Sequence, residues 1–252
     1  MMECRKKSCL LWVLISLLSV AGGRAAASDD FYKQSPLITN VYATAYYCVY
    51  NSELAGTQTI TTTISNKTCT LKASFLYGGL GVAMQGTGKT APDGDYIKYT
   101  GGAGPFVRLT GPNAGRNPEG KWVTNPQTLR NHYARLGITD FTGFGNLALL
   151  HPDSAAYSIV PSIAGSTGQP LTPGSSISAD SSLIPPGQTV TILFKNGATT
   201  PAGLTSASFI VQDSGQSIKG KRIDIYLGEG KSAIDEWNRT GGNRYVDIYP
   251  VR

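Results

Sequence analysis

Val211-Gln212-Asp213-Ser214-Gly215-Gln216-Ser217-Ile218-Lys219-Gly220-Lys221-Arg222-Ile223-Asp224-Ile225-Tyr226 holds two carboxylates, eleven residues apart, on either side of a glycine-punctuated turn. Asp213 closes an apolar run, and Asp224 stands inside Ile223-Asp224-Ile225-Tyr226. Alternation along a strand turns Ile223 and Ile225 to one face and Asp224 to the other. If that other face lines a groove, partial desolvation raises the pKa of Asp224. If it faces water, Asp224 is a solvated aspartate on a barrel exterior. The residues alone leave both readings open, and composition favours the second.

The surroundings are strands joined by tight turns. Residues 38–47, 58–65, 106–109, 189–194, 208–212, 223–227 and 245–250 carry β-branched and aromatic residues, and a further strand is expected near 81–85. Turns fall at Gly78-Gly79 and Gly101-Gly102. The best helix spans 125–136, with Asn125 as N-cap, Pro126 at the first helical position and Gly137 past the end. A second short helix is expected at 232–237. Many short strands with two minor helices point to a mainly β fold built on a closed or nearly closed barrel. The hairpin between 195 and 204 is long enough to fence a groove.

The first 27 residues read as an export signal. Arg5, Lys6 and Lys7 precede an apolar run from Leu10 to Val20, and Ala25-Ala26-Ala27 supplies small residues for cleavage. The run is too short to span a bilayer, and Cys9 precedes it, so no lipid-bearing cysteine follows. The expectation is a secreted or periplasmic protein without a membrane anchor after processing. The chain has 22 basic and 16 acidic residues; the first 27 hold four and one, leaving 18 and 15, a net of +3. That balance does not suggest nucleic acid, and no basic cluster tracks phosphates. The remaining length suits a β-rich part over 28–157 and a second over 158–252. Cys48 and Cys69, in an oxidising compartment, are expected to form one disulfide, contributing roughly 3 kcal/mol in the chain-entropy model.

The segment resembles the aspartate-rich signature of the membrane-bound lytic transglycosylase A family and the related three-aspartate (3D) domains of cell-wall proteins. The likeness rests on Asp213, Gly215, Ile218, Lys219, Gly220, Ile223, Asp224, Ile225 and Tyr226. Upstream, Asp180-Ser181-Ser182-Leu183-Ile184-Pro185-Pro186-Gly187-Gln188-Thr189 resembles the family's Asp-x-x-[apolar]-Ile-Pro-x-Gly-Thr element, and Asp180 supplies the third aspartate. Met84-Gln85-Gly86-Thr87-Gly88 and Thr44-Ala45-Tyr46-Tyr47 are similar to two further family elements. Gln216 departs from a glycine of the pattern, and Ala45 from another.

The resemblance implies a double-psi β-barrel carrying the aspartates, facing a second β-rich domain across a glycan-binding groove. It implies Asp224 as the single catalytic acid/base, with Asp213 and Asp180 supporting the site. Thr44, Tyr46, Tyr47, Gln85, Gly86 and Lys219 are the implied substrate-binding positions. The implied partner is the glycan strand of peptidoglycan, cut by a monomer without any cofactor. The reaction joins the C6 hydroxyl of N-acetylmuramic acid to its own C1, leaving a 1,6-anhydro end. One carboxyl then suffices where glycosidases ordinarily need two.

Other signals weigh less. Gly86-Thr87-Gly88-Lys89-Thr90 lacks the first glycine of a P-loop, since position 83 is Ala. His132 and His151, with Asp140 and Asp153 nearby, match no zinc spacing, and surface or core roles are the expectation. No Gly-x-Ser-x-Gly elbow occurs. Asn66 and Asn238 stand in glycosylation sequons, which matter only in a eukaryotic host. Tyr46, Tyr47 and Trp122 suit sugar stacking or a packed core equally. Two other functions stay open: a non-catalytic glycan-binding or wall-loosening module, and a secreted effector or inhibitor.

Overall fold

The computed structural model describes residues 35–195, 204, 208–215 and 218–251. The expected export signal, the tip of the 195–204 hairpin and Gln216 therefore lie outside the described residues. In chain order the elements are β1 (Ile38–Tyr50), β2 (Thr59–Ile64), β3 (Lys67–Lys72), α1 (Ala73–Tyr77), α2 (Val82–Gln85) and β4 (Thr87–Lys89). They continue with β5 (Tyr96–Gly101), β6 (Phe106–Arg108), α3 (Pro126–Arg135), β7 (Leu147–Leu149), β8 (Ala156–Val160) and β9 (Ser176–Ala179). The last five are β10 (Thr189–Phe194), β11 (Ser208–Asp213), β12 (Arg222–Glu229), α4 (Lys231–Arg239) and β13 (Arg244–Pro250).

Six strands close on themselves in the order β12-β9-β11-β10-β13-β1, and β1 returns to β12. The β1–β12 and β9–β11 pairs are parallel, and the other four are antiparallel. Exchanging each of the first three strands with the one three places later in chain order maps this ring onto itself, parallel pairs included. Alternation fills the barrel: Val41, Ala43, Ile177, Val190, Ile192, Phe209, Val211, Ile223, Ile225, Val246 and Ile248 form one buried cluster. Closure leaves the ring without an open edge, which removes the usual liability of exposed strands. The mainly β, barrel-based architecture expected from the sequence is thus present.

β1 serves both halves of the molecule. Its first residues pair with β12 and β13, its register slips between Tyr46 and Cys48, and Val49 and Tyr50 then pair with β4. Beyond that bulge the β2–β3 hairpin, α1, α2, the β6–β7 pair and α3 surround a second core containing Phe75, Leu76, Ile97, Leu129, Tyr133 and Phe144.

Local rules explain most elements. Asn125 caps α3 by accepting the Gln127 N–H at 2.8 Å, with Pro126 leading the helix and Gly137 at φ +74° beyond it. Two short helices differ from expectation. Residues 73–77 are helical with all five side chains buried. The strand expected near 81–85 is instead α2, which ends at Gly86 with φ +82°. Runs of four and five residues are too short for a helical period to register, and burial against each other and against the second core decides their form.

No disulfide joins Cys48 and Cys69; both are buried free thiols. Cys48 packs with Tyr226, Ile163 and Leu171, whereas Cys69 points into the second core and lies 3.6 Å from the Lys67 carbonyl. The two side chains thus lie in separate clusters. Burial pushes the Cys48 thiol up to about 12, aided by the Glu229 charge.

Candidate active site

Strand pairing lines up Thr44 on β1, Asp224 on β12, Ser178 on β9 and Asp213 on β11 in one cross-strand row. Their neighbours Ala43, Ile223, Ile225 and Ile177 face the barrel interior, so the row stands on its outer wall. Asp213 joins the row only through a bulge. Val211 pairs with Ile177 and Asp213 with Ser178, so Gln212 is the extra residue. Regular alternation would have turned Asp213 inward together with Val211; the bulge re-aims it. Gln212 is held by a hydrogen bond from the Ser176 hydroxyl to its side chain and another from Thr167 Oγ1 to its carbonyl at 2.9 Å. Gly165 packs against that carbonyl so closely that a Cβ there would sit 2.0 Å from the oxygen.

The row is electrostatically uneven. The Asp224 side chain keeps 19 % of its surface, yet its Oδ1 is buried and accepts no hydrogen bond among the described residues. Arg222 Nη2 stands 3.8 Å away, beyond hydrogen-bond range. Burial raises the pKa of Asp224, the Arg222 charge opposes this, and the Asp213 charge adds to it. Beside it, the Ser178 hydroxyl is buried and has no hydrogen-bond partner among the described residues. Thr44 donates to the Ile223 carbonyl at 3.1 Å and accepts from Arg222 at 3.4 Å. Asp213 is well solvated by the protein itself: it accepts from Ser166 N at 2.9 Å, Ser214 N at 2.8 Å and Tyr46 Oη at 3.3 Å. Burial, and then the charge and hydrogen bond of Asp213, hold the Tyr46 phenol firmly protonated. A carboxyl whose pKa is raised by burial, beside a second one held by hydrogen-bond donors, is the arrangement needed to protonate a leaving oxygen next to developing positive charge.

Next to the row lies a cavity of about 160 Å³, open on one side. Tyr46 and Asp213 line it from the barrel, Gln85 and Gly86 from the α2–β4 turn, and Lys98 and Tyr99 from β5. Gly86 leaves open space where a side chain would project. Asp224 is not among the cavity's lining residues.

The remaining sequence-derived positions fall elsewhere. Asp180 is a turn brace: Oδ2 accepts from Gly220 N at 2.7 Å, and Oδ1 from Ser182 N at 3.0 Å and Ser182 Oγ at 2.8 Å. Those hydrogen bonds, that of Gly220 first, hold its pKa down at about 2. Lys219 adds its charge to Asp180. Tyr47 packs against the second core, near Glu53 and Lys231. Trp122 is exposed, with the Arg116 guanidinium 4.8 Å from its ring.

A second polar cluster had no sequence signal. Glu229, at the end of β12, accepts from Lys89 at 2.8 Å, Tyr50 at 3.3 Å and Tyr96. Burial pulls its pKa up, but the hydrogen bonds from Lys89 and Tyr96 outweigh this and leave it lowered. Lys89, the lysine of the P-loop-like string, is thereby committed to an ion pair that ties β4 to the barrel. Nothing in isolated sequence links residues 140 positions apart.

Residues 175–251 match the family model of the 3D domain. No curated protein matches the chain. Among solved structures, the lytic transglycosylase MltA of Escherichia coli is similar at 17 % identity, over 85 % of this chain and 72 % of that one, with TM-score 0.47. The same enzyme with bound chitohexaose is similar at 18 % identity over the same shares, with TM-score 0.46. A membrane-bound lytic murein transglycosylase from Agrobacterium tumefaciens is similar at 17 % identity, over 86 % and 75 %, with TM-score 0.42. The family match spans five of the six barrel strands, and β1 comes from outside it. The resemblance read from Asp180, Asp213 and Asp224 and the family model fall on the same segment, residues 175–251.

Proposed function

We propose that this chain is a lytic-transglycosylase-like enzyme that cleaves the β-1,4 bond between N-acetylmuramic acid and N-acetylglucosamine in peptidoglycan. The observation that supports this most is the Asp224 carboxyl: largely buried, one oxygen unpaired, its pKa raised, and in one strand row with the hydrogen-bonded Asp213. Protonated Asp224 donates to the glycosidic oxygen as the bond to C1 breaks. Asp213, fixed by its donors Ser166, Ser214 and Tyr46, stabilises the positive charge on the sugar ring. The resulting Asp224 carboxylate then accepts the proton of the C6 hydroxyl as that oxygen closes on C1. Protons and charge balance without water, and the protein needs only the one acid/base group.

Tyr46, Gln85 and Gly86 are assigned to the glycan-binding wall, with Thr44 orienting Arg222 beside Asp224. Asp180 and Lys219 act at one remove, holding the turn that leads into β12. The symmetry of the strand ring supports a double-psi barrel, with residues 28–157 adding β1 and the facing lobe. Residues 1–27 are assigned as an export signal, which places the enzyme in the periplasm or outside the cell.

A second reading has one observation in its favour: the cavity is lined by Asp213 but not by Asp224. This fits a glycan-binding module without turnover. Incubation with purified insoluble peptidoglycan separates the two. The enzyme reading expects 1,6-anhydro-muropeptides in the soluble fraction, reduced about 10²–10⁴-fold by Asp224→Asn. Binding without soluble product supports the module instead. Undiminished product from Asp224→Asn would sink the assignment of the acid.

A further inference from the structure

The chain has only two histidines, nineteen positions apart, and the fold brings them together. His132 lies in the last turn of α3, and His151 lies just beyond β7. Their rings approach to 5.1 Å between centroids at an interplanar angle of 78°. Asp153, in the short 3-10 turn Pro152–Ser154, completes a group. One nitrogen from each imidazole and one Asp153 carboxylate oxygen all lie within 4.8 Å of one another.

Two features separate this group from a chance surface cluster. First, Nδ1 of His132 is buried and has no hydrogen-bond partner among the described residues. A buried ring nitrogen left unsatisfied is costly unless something fills its lone pair or takes its proton. Second, the backbone that carries the ligands is held from several sides. Tyr133, next to His132, is fully buried and donates its hydroxyl to the Leu149 carbonyl at 2.9 Å. His151 N–H donates to the Ala103 carbonyl at 2.9 Å, and Leu150 N–H to the Pro105 carbonyl at 3.0 Å. Asp153 is exposed. Ligand bonds of about 2.0–2.2 Å put tetrahedral ligand atoms roughly 3.4 Å apart, so small side-chain movements close the group around an ion.

We propose that His132, His151 and Asp153 bind a divalent transition cation of the Zn²⁺ class, with water in the fourth position. Two imidazoles and a carboxylate select against Mg²⁺ and Ca²⁺, which prefer oxygen. The ion clamps the C-terminal turn of α3 to the loop after β7, far in sequence from the aspartate row. The proposal does not depend on glycan cleavage.

The test uses the full-length protein without a histidine tag, labelled with ¹⁵N-histidine, titrated with zinc chloride alone. Because there are two imidazoles, both must shift together and saturate at the same concentration. At zinc 100-fold above its dissociation constant, Tm is expected to rise by roughly 5–10 °C. His132→Gln and His151→Gln are each expected to abolish the rise, and Asp153→Asn to weaken the binding midpoint. Movement of neither imidazole, or of one alone, overturns the site, and that result requires no variant to fold. A Tm rise that persists in His132→Gln overturns it as well, because the metal then binds elsewhere.

Discussion

Asp224→Asn keeps the shape of the side chain and removes its charge, and the site geometry sets the size of the stability change that follows. In the folded protein, among the described residues, Oδ1 is buried with no hydrogen-bond donor, and the neighbouring Ser178 hydroxyl is equally unpartnered. An asparagine amide supplies a donor that the Ser178 oxygen can accept, and no charge has to be desolvated. A buried acceptor left without a partner costs about 1–3 kcal/mol. The 19 % exposure of the Asp224 side chain and Arg222 at 3.8 Å place this case at about 1–2 kcal/mol. For a chain of this size that is a Tm increase of roughly 2–8 °C at pH 7. The sign follows from linkage. The folded pKa lies above the unfolded value of about 3.9, so between the two the native state holds more protons than the unfolded one. Wild-type stability therefore falls as pH rises through that window. Asparagine does not titrate there, so the advantage of the variant is absent below about pH 3.9 and complete above the folded pKa. Calorimetric melts at pH 3 and pH 7 check this. Equal or lower stability of Asp224→Asn at pH 7, or a difference that survives undiminished at pH 3, refutes the account of a desolvated carboxyl without a hydrogen-bond donor.

Asp213→Asn removes the like charge that helps raise Asp224, so the alkaline limb of the pH–activity profile is expected to move to lower pH. Asp180→Ala frees the Gly220 and Ser182 donors and is expected to lower the urea midpoint at neutral pH. Because the Asp180 pKa is held down at about 2, the contribution of its charge is present above the unfolded value and is lost as pH falls through about 2. The gap between variant and wild type should narrow over that range. Lys89→Met strips the cation from the partly buried Glu229 cluster; denaturant unfolding should register a loss of about 1–3 kcal/mol, below the full cost of breaking a wholly buried pair.

Asp213, Asp224 and the strands that carry them were legible because period-two alternation and glycine punctuation are local. The capping of α3 by Asn125 was legible for the same reason. α1 and α2 were not, since so short a helix is selected by what it packs against rather than by its own period. The disulfide expectation rested on counting cysteines, and the packing of Cys48 and Cys69 into different clusters has no signature in their spacing.

From the sequence alone came a mainly β chain, five of its six barrel strands (β9 was not among them), and the three aspartates of the matched segment. Each depends on neighbours within a dozen positions, the reach of backbone propensity and side-chain alternation. Tertiary structure decided the rest. It closed the ring by returning β1 to β12, and it turned Asp213 outward through a bulge that would read as ordinary alternation. It also set Asp180 to bracing a turn, committed Lys89 to Glu229, and brought His132 to His151 and Asp153. Those outcomes depend on which strands and loops become adjacent in space, and that is fixed by the joint packing of two cores, which no single stretch of sequence encodes.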